Sequence, residues 1–347
     1  MRVTLIHNPR AGDDTQPTTG QLQALIREAG HKVRVQSVKE EGWSASLKKS
    51  ADIVVVAGGD GTVGKVARRL IGRDIPLAIL PLGTANNISK TLGIADLPVT
   101  RLIPGWSKAR AVKFDAGVAV GPWGTRYFIE GVGLGFLPFA IPAVQANPTM
   151  ESLTDANAKV TYALQIMRER LGDHEALSLK ASIDGKDISG EYVLFEVMNM
   201  KYVGPNLYLA PDLLHNNGMF EVVCVERKHR KELQKILAHW QEGGPWPAEF
   251  VTHSGRNVLV EWTGFPLHLD DKLWPAKNKK NSIRPPAPIE LEVLPKALCF
   301  LVPREVTLHA EQEAKEHRKT TGRGKRSAKR RAAYATAPSK HPKSRKR

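Results

Sequence analysis

The feature that most constrains the fold is a short apolar run that ends directly in glycines. Ile53–Val56 is β-branched throughout, and it is bounded by Asp52 on one side and by Gly58 on the other. Such a run is typical of a strand that is buried on both faces of a parallel sheet. Val66, Leu70 and Ile71 then suit a helix. A buried strand that passes through a glycine turn into a helix favours an α/β fold.

The alternation of strand and helix extends over roughly the first 110 residues. A helix is indicated by Leu22, Leu25 and Ile26, which mark one helical face, and it ends near Gly30. Further strands are predicted at Val3–Ile6, Lys32–Val38 and Pro76–Leu80. Because strands that alternate with helices form parallel sheets, we expect an α/β domain with a mostly parallel sheet over residues 1–112.

The pattern then changes to short alternating segments that are separated by Gly, Pro and Asn. This pattern is typical of an antiparallel β-sandwich, which we predict for residues 113–303. One helix is predicted within this domain, at Ala156–Leu171. The predicted strands are Ala116–Val120, Arg126–Ile129, Leu177–Ile183, Tyr192–Met198, Phe220–Val225, Asn257–Trp262 and Ile289–Leu294.

The net charge of +16 is concentrated in a C-terminal tail. Thirteen of the 51 Lys and Arg residues lie in residues 318–347, which contain no Asp or Glu, so that the remaining 38 basic residues face 35 acidic ones. Residues 304–347, a charged segment followed by this tail, are predicted to be disordered. The tail suits an anionic membrane surface or non-specific nucleic acid. It lacks Phe, Trp and Leu, which favours attraction to a surface over insertion.

No stretch of 18 uninterrupted apolar residues predicts a spanning helix, and the first apolar run is too short for a signal peptide. Cys224 and Cys299 lie in apolar runs without the spacing of a metal site. Buried thiols are typical of a reducing compartment. We therefore expect a cytoplasmic protein that the basic tail holds at the inner face of the membrane.

The segment Gly58-Gly59-Asp60-Gly61-Thr62 lies where the buried strand meets the helix. Glycines let backbone N–H groups approach a polyphosphate closely, and the helix N-terminus adds a positive dipole. The carboxylate of Asp60 would repel phosphate unless Mg²⁺ or a proton donor lies between them, which indicates a catalytic or metal-relay role. A lone glycine turn can also be purely structural. The Walker A spacing is a decoy, because Val66 replaces the required hydroxyl.

A second polar turn, Pro81–Asn87, follows the next predicted strand and is rich in hydroxyl and amide groups. The carboxyl ends of parallel strands lie at one edge of a sheet. Both turns are therefore predicted to face one crevice.

Together these segments resemble the diacylglycerol kinase catalytic-domain family, whose bacterial lipid kinases are related to sphingosine and ceramide kinases. The resemblance covers about residues 1–303. NAD kinases share the glycine loop, but the second turn points to the lipid branch. The matching segments, in chain order, are Asn8–Gly12, Gly58–Thr62, Pro81–Asn87, Leu267–Asp270 and Ile289–Leu298.

The resemblance implies an ATP- and Mg²⁺-dependent transfer of phosphate to a lipid hydroxyl, with the nucleotide between the two domains. A lipid acceptor would suit Phe136–Ile141 and the helix that carries Val160, Leu164 and Met167, although both are also consistent with ordinary core. The implied nucleotide contacts are Asn8, Ser37, Gly58, Gly59, Asp60, Gly61, Thr62, Thr84 and Asn86.

Three positions depart from the family pattern. Gly64 stands where Asn is common. The family's metal-binding turn keeps the carbonyls of Leu214 and Met219, but Asn217 replaces a carboxylate, which weakens a Mg²⁺ site. Lys272 replaces the Glu that is assigned as proton acceptor in the family. An ammonium group cannot be that base at neutral pH without a large fall of its pKa.

Two hypotheses follow. In the first, the chain is a lipid kinase in which Asp60 organises Mg²⁺ through water, and Asp270 or Asp271 takes the base role lost at Lys272. Lys272 could instead neutralise charge on the transferred phosphate. In the second, the chain binds nucleotide or lipid but has lost catalysis at Asn217 and Lys272. Nucleotide binding without phosphoryl transfer would favour the second hypothesis.

Overall fold

Four parallel strands form one part of a ten-stranded sheet, as the β-branched run predicts. Their order is β2 (Lys32–Ser37), β1 (Arg2–His7), β3 (Ile53–Gly58) and β4 (Leu77–Pro81). The connection from β1 to β2 therefore leads to one side of β1, and the connection from β2 to β3 leads to the other side. Ligands of such sheets bind at the carboxyl edge where the order reverses, here between β1 and β3. The computed structural model describes residues 1–13, 15–243, 250–275 and 284–306.

Helices connect these strands. The first begins with a capping box, in which Thr18 Oγ1 accepts the N–H of Gln21 and the Gln21 side chain accepts the N–H of Thr18. It buries Leu22 and Ile26 of the predicted face, whereas Leu25 is half-buried, and the second helix buries Val66. The four helices are α1 (Thr19–Glu28), α2 (Asp60–Leu70), α3 (Asn87–Thr91) and α4 (Val99–Gly105).

The second half of the chain is mainly antiparallel, and six of the seven predicted strands are present as single strands. The predicted strand Leu177–Ile183 is instead two strands in different sheets, because the chain crosses from one sheet to the other at Lys180. The predicted helix is α7 (Ala156–Arg170), which is accompanied by α5 (Phe136–Gln145), α6 (Pro148–Ser152) and α8 (Arg230–Gln241). The strands are β5 (Arg110–Gly121), β6 (Gly124–Phe128), β7 (Gly131–Gly135), β8 (Leu177–Leu179), β9 (Ala181–Ile183), β10 (Lys186–Asp187), β11 (Gly190–Met198), β12 (Tyr202–Val203), β13 (Leu207–Tyr208), β14 (Phe220–Glu226), β15 (Val251–Gly255), β16 (Asn257–Trp262), β17 (Leu267–Leu269), β18 (Lys272–Trp274) and β19 (Ala287–Val302).

Two sheets enclose one apolar core, which confirms the predicted sandwich. The second sheet has the order β15-β14-β11-β7-β17-β18, with β8 beside β11. Phe128, Val258 and Ile289 from the ten-stranded sheet pack in one buried cluster with Val132 and Phe195 from the second sheet. Burial of such side chains stabilises each by about 1.5–3 kcal/mol relative to exposure.

The last strand is longer than predicted and joins the parallel and antiparallel strands. β19 pairs with β5 and β16 in antiparallel register, and its Phe300 lies beside Leu77 of β4 in parallel register. Residues Met1–Pro303 form one compact unit. The boundary after residue 112 stays a prediction. The disorder expected of residues 304–347 falls almost wholly outside the described residues.

Both cysteines are free and buried, as predicted. Cys224 lies in β14 and Cys299 in β19. Over the described ranges, no helix is long and apolar enough to cross a membrane.

Three turns meet at the carboxyl edge of the parallel strands. A Cβ atom on Gly83, in the turn after β4, would lie only 2.2 Å from the Cα of Gly59 in the turn after β3. Gly12, in the turn after β1, has a φ of +75°, and a Cβ there would lie 2.4 Å from the Leu82 carbonyl oxygen. Glycine is therefore required where these backbones touch.

Replacement of Gly83 by Ala is expected to destabilise the protein by about 1–3 kcal/mol, because the added methyl group meets backbone that must shift. Urea unfolding measures this change. Gly20→Ala is the control, since a Cβ at Gly20 in α1 meets no atom within 4 Å. Equal free energies of unfolding for the two variants would contradict the close contact of the turns.

Candidate active site

The glycine loop ends β3 and begins α2, as predicted. The N–H groups of Thr62 and Val63 both donate to the Gly59 carbonyl, at 2.9 and 3.0 Å. The first turn of α2 therefore lies at the carboxyl edge of the sheet, with the positive end of the helix dipole at the crevice between β1 and β3. This arrangement suits the binding of phosphate.

Asn8 ties the turn after β1 to this loop. Its Nδ2 donates to Thr62 Oγ1 at 3.1 Å, and its main-chain N–H donates to the Ala57 carbonyl at 2.9 Å. Ser37 ends the neighbouring strand β2, where its Oγ accepts the N–H of Lys39 at 3.2 Å. Asn8 thus contacts the loop, and Ser37 lies one strand further along the same edge.

Asp60 joins the glycine loop to the turn after β4. Its two carboxylate oxygens accept the N–H groups of Asn87 and Ile88, each at 2.9 Å, at the start of α3. Burial raises the pKa of Asp60, while these N–H groups and the charge of Lys90 oppose the rise. The residue predicted to organise a metal is therefore also the anchor of a helix.

Asn86 shapes the second polar turn from within. It has a φ of +54°, its Oδ1 accepts the N–H of Gly83 at 2.9 Å, and its Nδ2 donates to the Gly83 carbonyl at 2.8 Å. Its side chain thus orders the turn. Thr84 follows Gly83 and is half-buried beside the glycine loop.

The carboxylate of Asp270 is buried and hydrogen-bonded on all sides. Its Oδ1 accepts the N–H groups of Ile129 and Glu130 at 3.0 and 2.8 Å, and its Oδ2 accepts from the Arg68 guanidinium of α2. Burial raises the pKa of Asp270, while Arg68 and the N–H groups oppose the rise. These donors occupy the lone pairs that a proton acceptor would need.

Two glycines of α2 allow the turn between β17 and β18 to approach the helix. A Cβ on Gly61 would lie 3.3 Å from Asp271 Oδ2, and one on Gly64 would lie 3.0 Å from Arg68 Nη1. The departure from the family pattern at Gly64 therefore makes room for the guanidinium that binds Asp270.

Asp271 and Lys272 lie beside the glycine loop with exposed side chains. Lys272 Nζ is 3.6 Å from Asp271 Oδ2, and the two side chains are 64% and 45% exposed. Such an exposed pair contributes little to stability, so that both groups are able to reorient toward a ligand.

Glu130 is a carboxyl group of the site that the sequence analysis missed. It lies between β6 and β7 and is buried. Its pKa is raised well above the ordinary value by burial first and then by the charges of Asp60, Asp270 and Asp271, while a hydrogen bond with Asn87 opposes the rise. The available signal was a lone acid within the apolar segment from residue 127 to residue 137.

The predicted metal turn is closed by hydrogen bonds within the protein. Asn217 Oδ1 accepts the N–H of Met219 at 3.0 Å. The carboxylate of Asp115 accepts the N–H groups of Gly218 and Lys296, both at 2.7 Å. In the residues that the structure describes, no group of three or more His, Cys, Asp or Glu could hold a metal ion.

This turn also lies away from the glycine loop. Its neighbour Lys296 is followed by Ala297, whose carbonyl accepts the N–H of Gly72 just beyond the last residue of α2. The glycine loop lies at the first residue of the same helix. That Leu214, Asn217 and Met219 bind metal stays a prediction, and in the structure Asp115 holds the main chain on either side of this turn.

The apolar stretch predicted to hold a lipid forms α5 and packs against α7. Phe136, Leu137, Leu164 and Met167 are buried in one core cluster, so ordinary core explains them. Half-buried apolar side chains around this cluster are Phe139, Ile141, Val144 and Val160.

Two family models match the chain in order. The model described as "Diacylglycerol kinase catalytic domain" matches residues 2–118, and the model described as "YegS C-terminal NAD kinase beta sandwich-like domain" matches residues 143–302. Together they cover the parallel strands and most of the sandwich.

Individual proteins that are similar to this chain are also named diacylglycerol kinases. A diacylglycerol kinase of Bacillus subtilis (strain 168) is 27% identical over 243 residues, which are 68% of this chain and 77% of the relative. A diacylglycerol kinase of Mycobacterium tuberculosis (strain ATCC 25618 / H37Rv) is 24% identical over 274 residues, which are 75% of this chain and 80% of the relative. The crystal structure of a diacylglycerol kinase from Bacillus anthracis str. Sterne shares the fold, with a TM-score of 0.65 and 21% identity over 88% of this chain and 98% of that chain.

Replacement of Glu130 by Gln is expected to raise the free energy of unfolding progressively from about pH 4 upward. Because the pKa of Glu130 is raised in the folded state, its carboxyl stays protonated above the unfolded pKa of about 4.3. Between these two pKa values, the free energy of unfolding of the unaltered protein falls by up to ~1.4 kcal/mol per pH unit, and Gln at this position removes that fall. Urea unfolding between pH 4 and 8 measures the difference. Glu41→Gln, at an exposed position, is the control. If the free energies of unfolding of Glu130→Gln and the unaltered protein differ by an amount that does not grow with pH, the raised pKa of Glu130 is contradicted.

Proposed function

Because the chain belongs to the diacylglycerol kinase catalytic-domain family, we propose that it transfers the γ-phosphate of ATP to a lipid hydroxyl, with a diacylglycerol-like lipid as acceptor. The observation that carries the proposal is the meeting of the glycine loop, the second polar turn and the turn bearing Asp271 at one edge of the parallel strands. Relatives named diacylglycerol kinase support the acceptor class.

The phosphates of ATP are proposed to lie on the first turn of α2. The glycines there carry no side chain that would keep phosphate oxygens from the N–H groups. Thr62 and Thr84 add hydroxyl donors on the two turns. The proposed nucleotide contacts are Asn8, Ser37, Gly58, Gly59, Asp60, Gly61, Thr62, Thr84 and Asn86.

Magnesium is proposed to accompany the phosphates. It would neutralise the charge that develops on the transferred group. Hard carboxylate oxygens suit this ion. Both oxygens of Asp60 already accept N–H groups, so Asp60 would reach the ion through water.

Asp271 is proposed as the base, in preference to Asp270. The oxygens of Asp270 are engaged by Arg68 and main-chain donors, whereas Asp271 is exposed beside Gly61. The acceptor hydroxyl gives its proton to Asp271 while its oxygen bonds to the γ-phosphorus, and the bond to the bridging oxygen breaks with its electron pair going to ADP. Lys272 is proposed to neutralise charge on the transferred phosphate.

The lipid acceptor is proposed to approach along α5 and α7. The half-buried side chains Phe139, Ile141, Val144 and Val160 offer apolar contact beside the core cluster. Aromatic and aliphatic groups of this kind suit acyl chains.

A nucleotide-binding protein that has lost phosphoryl transfer is the second candidate function. The exposed ammonium group of Lys272, at the position of the family's base, favours it. The two candidates differ in one result, since only the kinase converts bound ATP to ADP when lipid is present.

Asp271→Asn is expected to lower ATP turnover with diacylglycerol-containing vesicles by about 10²–10⁴-fold, because general-base catalysis contributes that much. ATP affinity, measured by calorimetry, is expected to stay unchanged. Asp187→Asn, an exposed change in β10 at the opposite edge of the ten-stranded sheet, is the control. Unchanged turnover in Asp271→Asn would remove Asp271 from the mechanism.

The basic tail is proposed to hold the protein at the inner face of the membrane. The thirteen positive charges of residues 318–347 would attract anionic lipid, with about 1 kcal/mol for each charge near the surface. A lipid kinase has to reach its acceptor at a membrane. Non-specific nucleic acid is the alternative partner of the tail.

Truncation after Pro303 is expected to abolish pelleting with anionic vesicles and to leave pelleting with neutral vesicles unchanged. Comparison of the full chain and the truncated chain at low and high salt measures the effect, since the attraction is screened by salt. Loss of DNA retention with unchanged vesicle binding would instead assign the tail to nucleic acid.

A further inference from the structure

A buried histidine and a buried glutamate meet directly behind the turn that carries Asp271. His268 of β17 and Glu196 of β11 lie on either side of β7, and His268 Nε2 is 3.1 Å from Glu196 Oε1. Their side chains are 1% and 0% exposed. A Cβ on Gly133 of β7 would lie 1.9 Å from Glu196 Oε1 and 2.2 Å from His268 Nε2. Gly133 therefore provides the space in which the pair forms.

The hydrogen-bond partners of His268 indicate which of its ring nitrogens carry a proton. Nδ1 lies 2.9 Å from the main-chain carbonyl of Asp270, which only accepts, so Nδ1 carries a proton. Burial lowers the pKa of His268, but Glu196 and Asp270 raise it by more, and the net shift is upward. In its protonated form, His268 donates to Glu196 through Nε2 and to Asp270 through Nδ1.

Stability alone does not account for this pair. Moving two charges out of water costs several kcal/mol for each ion, and well-packed apolar side chains are often as stabilising as a buried ion pair. Glu196 Oε2 is moreover buried without a hydrogen-bond partner. An apolar pair could not donate a hydrogen bond to the Asp270 carbonyl.

That carbonyl belongs to a residue whose backbone is set by several contacts. Asp270 has a φ of +48°, and its N–H donates to the Gly131 carbonyl at 2.9 Å. Its side chain is held by Arg68 and by main-chain donors. The bond from His268 fixes the remaining polar group of Asp270, immediately before Asp271.

We propose that Glu196 and His268 are positioning residues for phosphoryl transfer, which hold the Asp270 carbonyl and thereby fix Asp271 against the start of α2. This inference rests on the proposed function for its kinetic readout. Neither residue touches the reacting atoms. A displacement of about 1 Å in a reacting group can lower a rate about 10²-fold, so the pair acts on kcat.

The stabilisation that Glu196 and His268 give each other also depends on pH. The charged groups that face His268 are Glu196 from β11 and Asp270 from its own turn, the latter paired with Arg68 of α2. When His268 loses its Nε2 proton at high pH, the Glu196 carboxylate faces a lone pair. Because the pKa of His268 is raised by folding, the stabilisation is complete below the unfolded pKa and is lost as pH rises through the folded pKa.

The test compares His268→Leu with Glu196→Gln in the full chain. His268→Leu removes the bond to Asp270, and kcat with diacylglycerol-containing vesicles is expected to fall about 10–100-fold with little change in KM for ATP. Glu196→Gln keeps the bond, because its amide donates to Nε2 of a neutral His268 that retains its Nδ1 proton. We expect kcat of the unaltered protein to fall at alkaline pH. Glu196→Gln is expected to keep kcat at neutral pH and to lose this alkaline fall. His31→Leu, a buried histidine beside the amino end of β2, is the control.

Hydrogen exchange of the backbone provides a readout that needs no lipid. We expect His268→Leu to speed backbone hydrogen exchange at residues 270–273. In Glu196→Gln we expect the exchange there to be normal. If the unaltered protein transfers no phosphate while these exchange rates change as stated, the proposed function fails and the positioning role stands. Normal kcat or normal exchange in His268→Leu would overturn the proposal, as would an unchanged alkaline fall of kcat in Glu196→Gln.

Discussion

The buried carboxylate of Asp270 is the contact on which the rest of the site depends. It accepts main-chain N–H groups from the segment between β6 and β7, and it accepts the guanidinium of Arg68 from α2. A carboxylate is tolerated in the interior only with such donors around it. The same contact fastens the β17–β18 turn to the helix that begins with the glycine loop. Asp271, the next residue of that turn, lies beside Gly61 at the start of the same helix.

Asp60 performs a similar task on the other side of the loop, where it anchors the start of α3. Asp60 and Asp270, which the sequence motifs mark as catalytic, thus accept hydrogen bonds from main-chain N–H groups. This division suits phosphoryl transfer, which depends on positioning and charge neutralisation more than on covalent chemistry by the protein. In the proposed mechanism, the exposed side chains of Asp271 and Lys272 contact the substrates.

Local patterns were sufficient to predict the parallel strands, the glycine loop and several strands of the sandwich, because burial on one or both faces leaves a period that can be read along the chain. The length of β19 could not be predicted, since Pro295 and the bulge at Lys296 interrupt its alternation. β7 was missed because its alternate glycines read as a turn. Glu130 and the pair of Glu196 and His268 acquire their roles from residues far along the chain, and no local pattern records such contacts.

The assembled turns are proposed to carry phosphate from ATP to a lipid. The most direct measurement incubates the purified full chain with γ-labelled ATP, Mg²⁺ and a panel of lipid extracts, and then follows the label. The label is expected to move into a phosphate monoester in the organic phase, in step with the formation of ADP. Tight binding of ATP with all of the label remaining in ATP or inorganic phosphate would contradict phosphoryl transfer to a lipid.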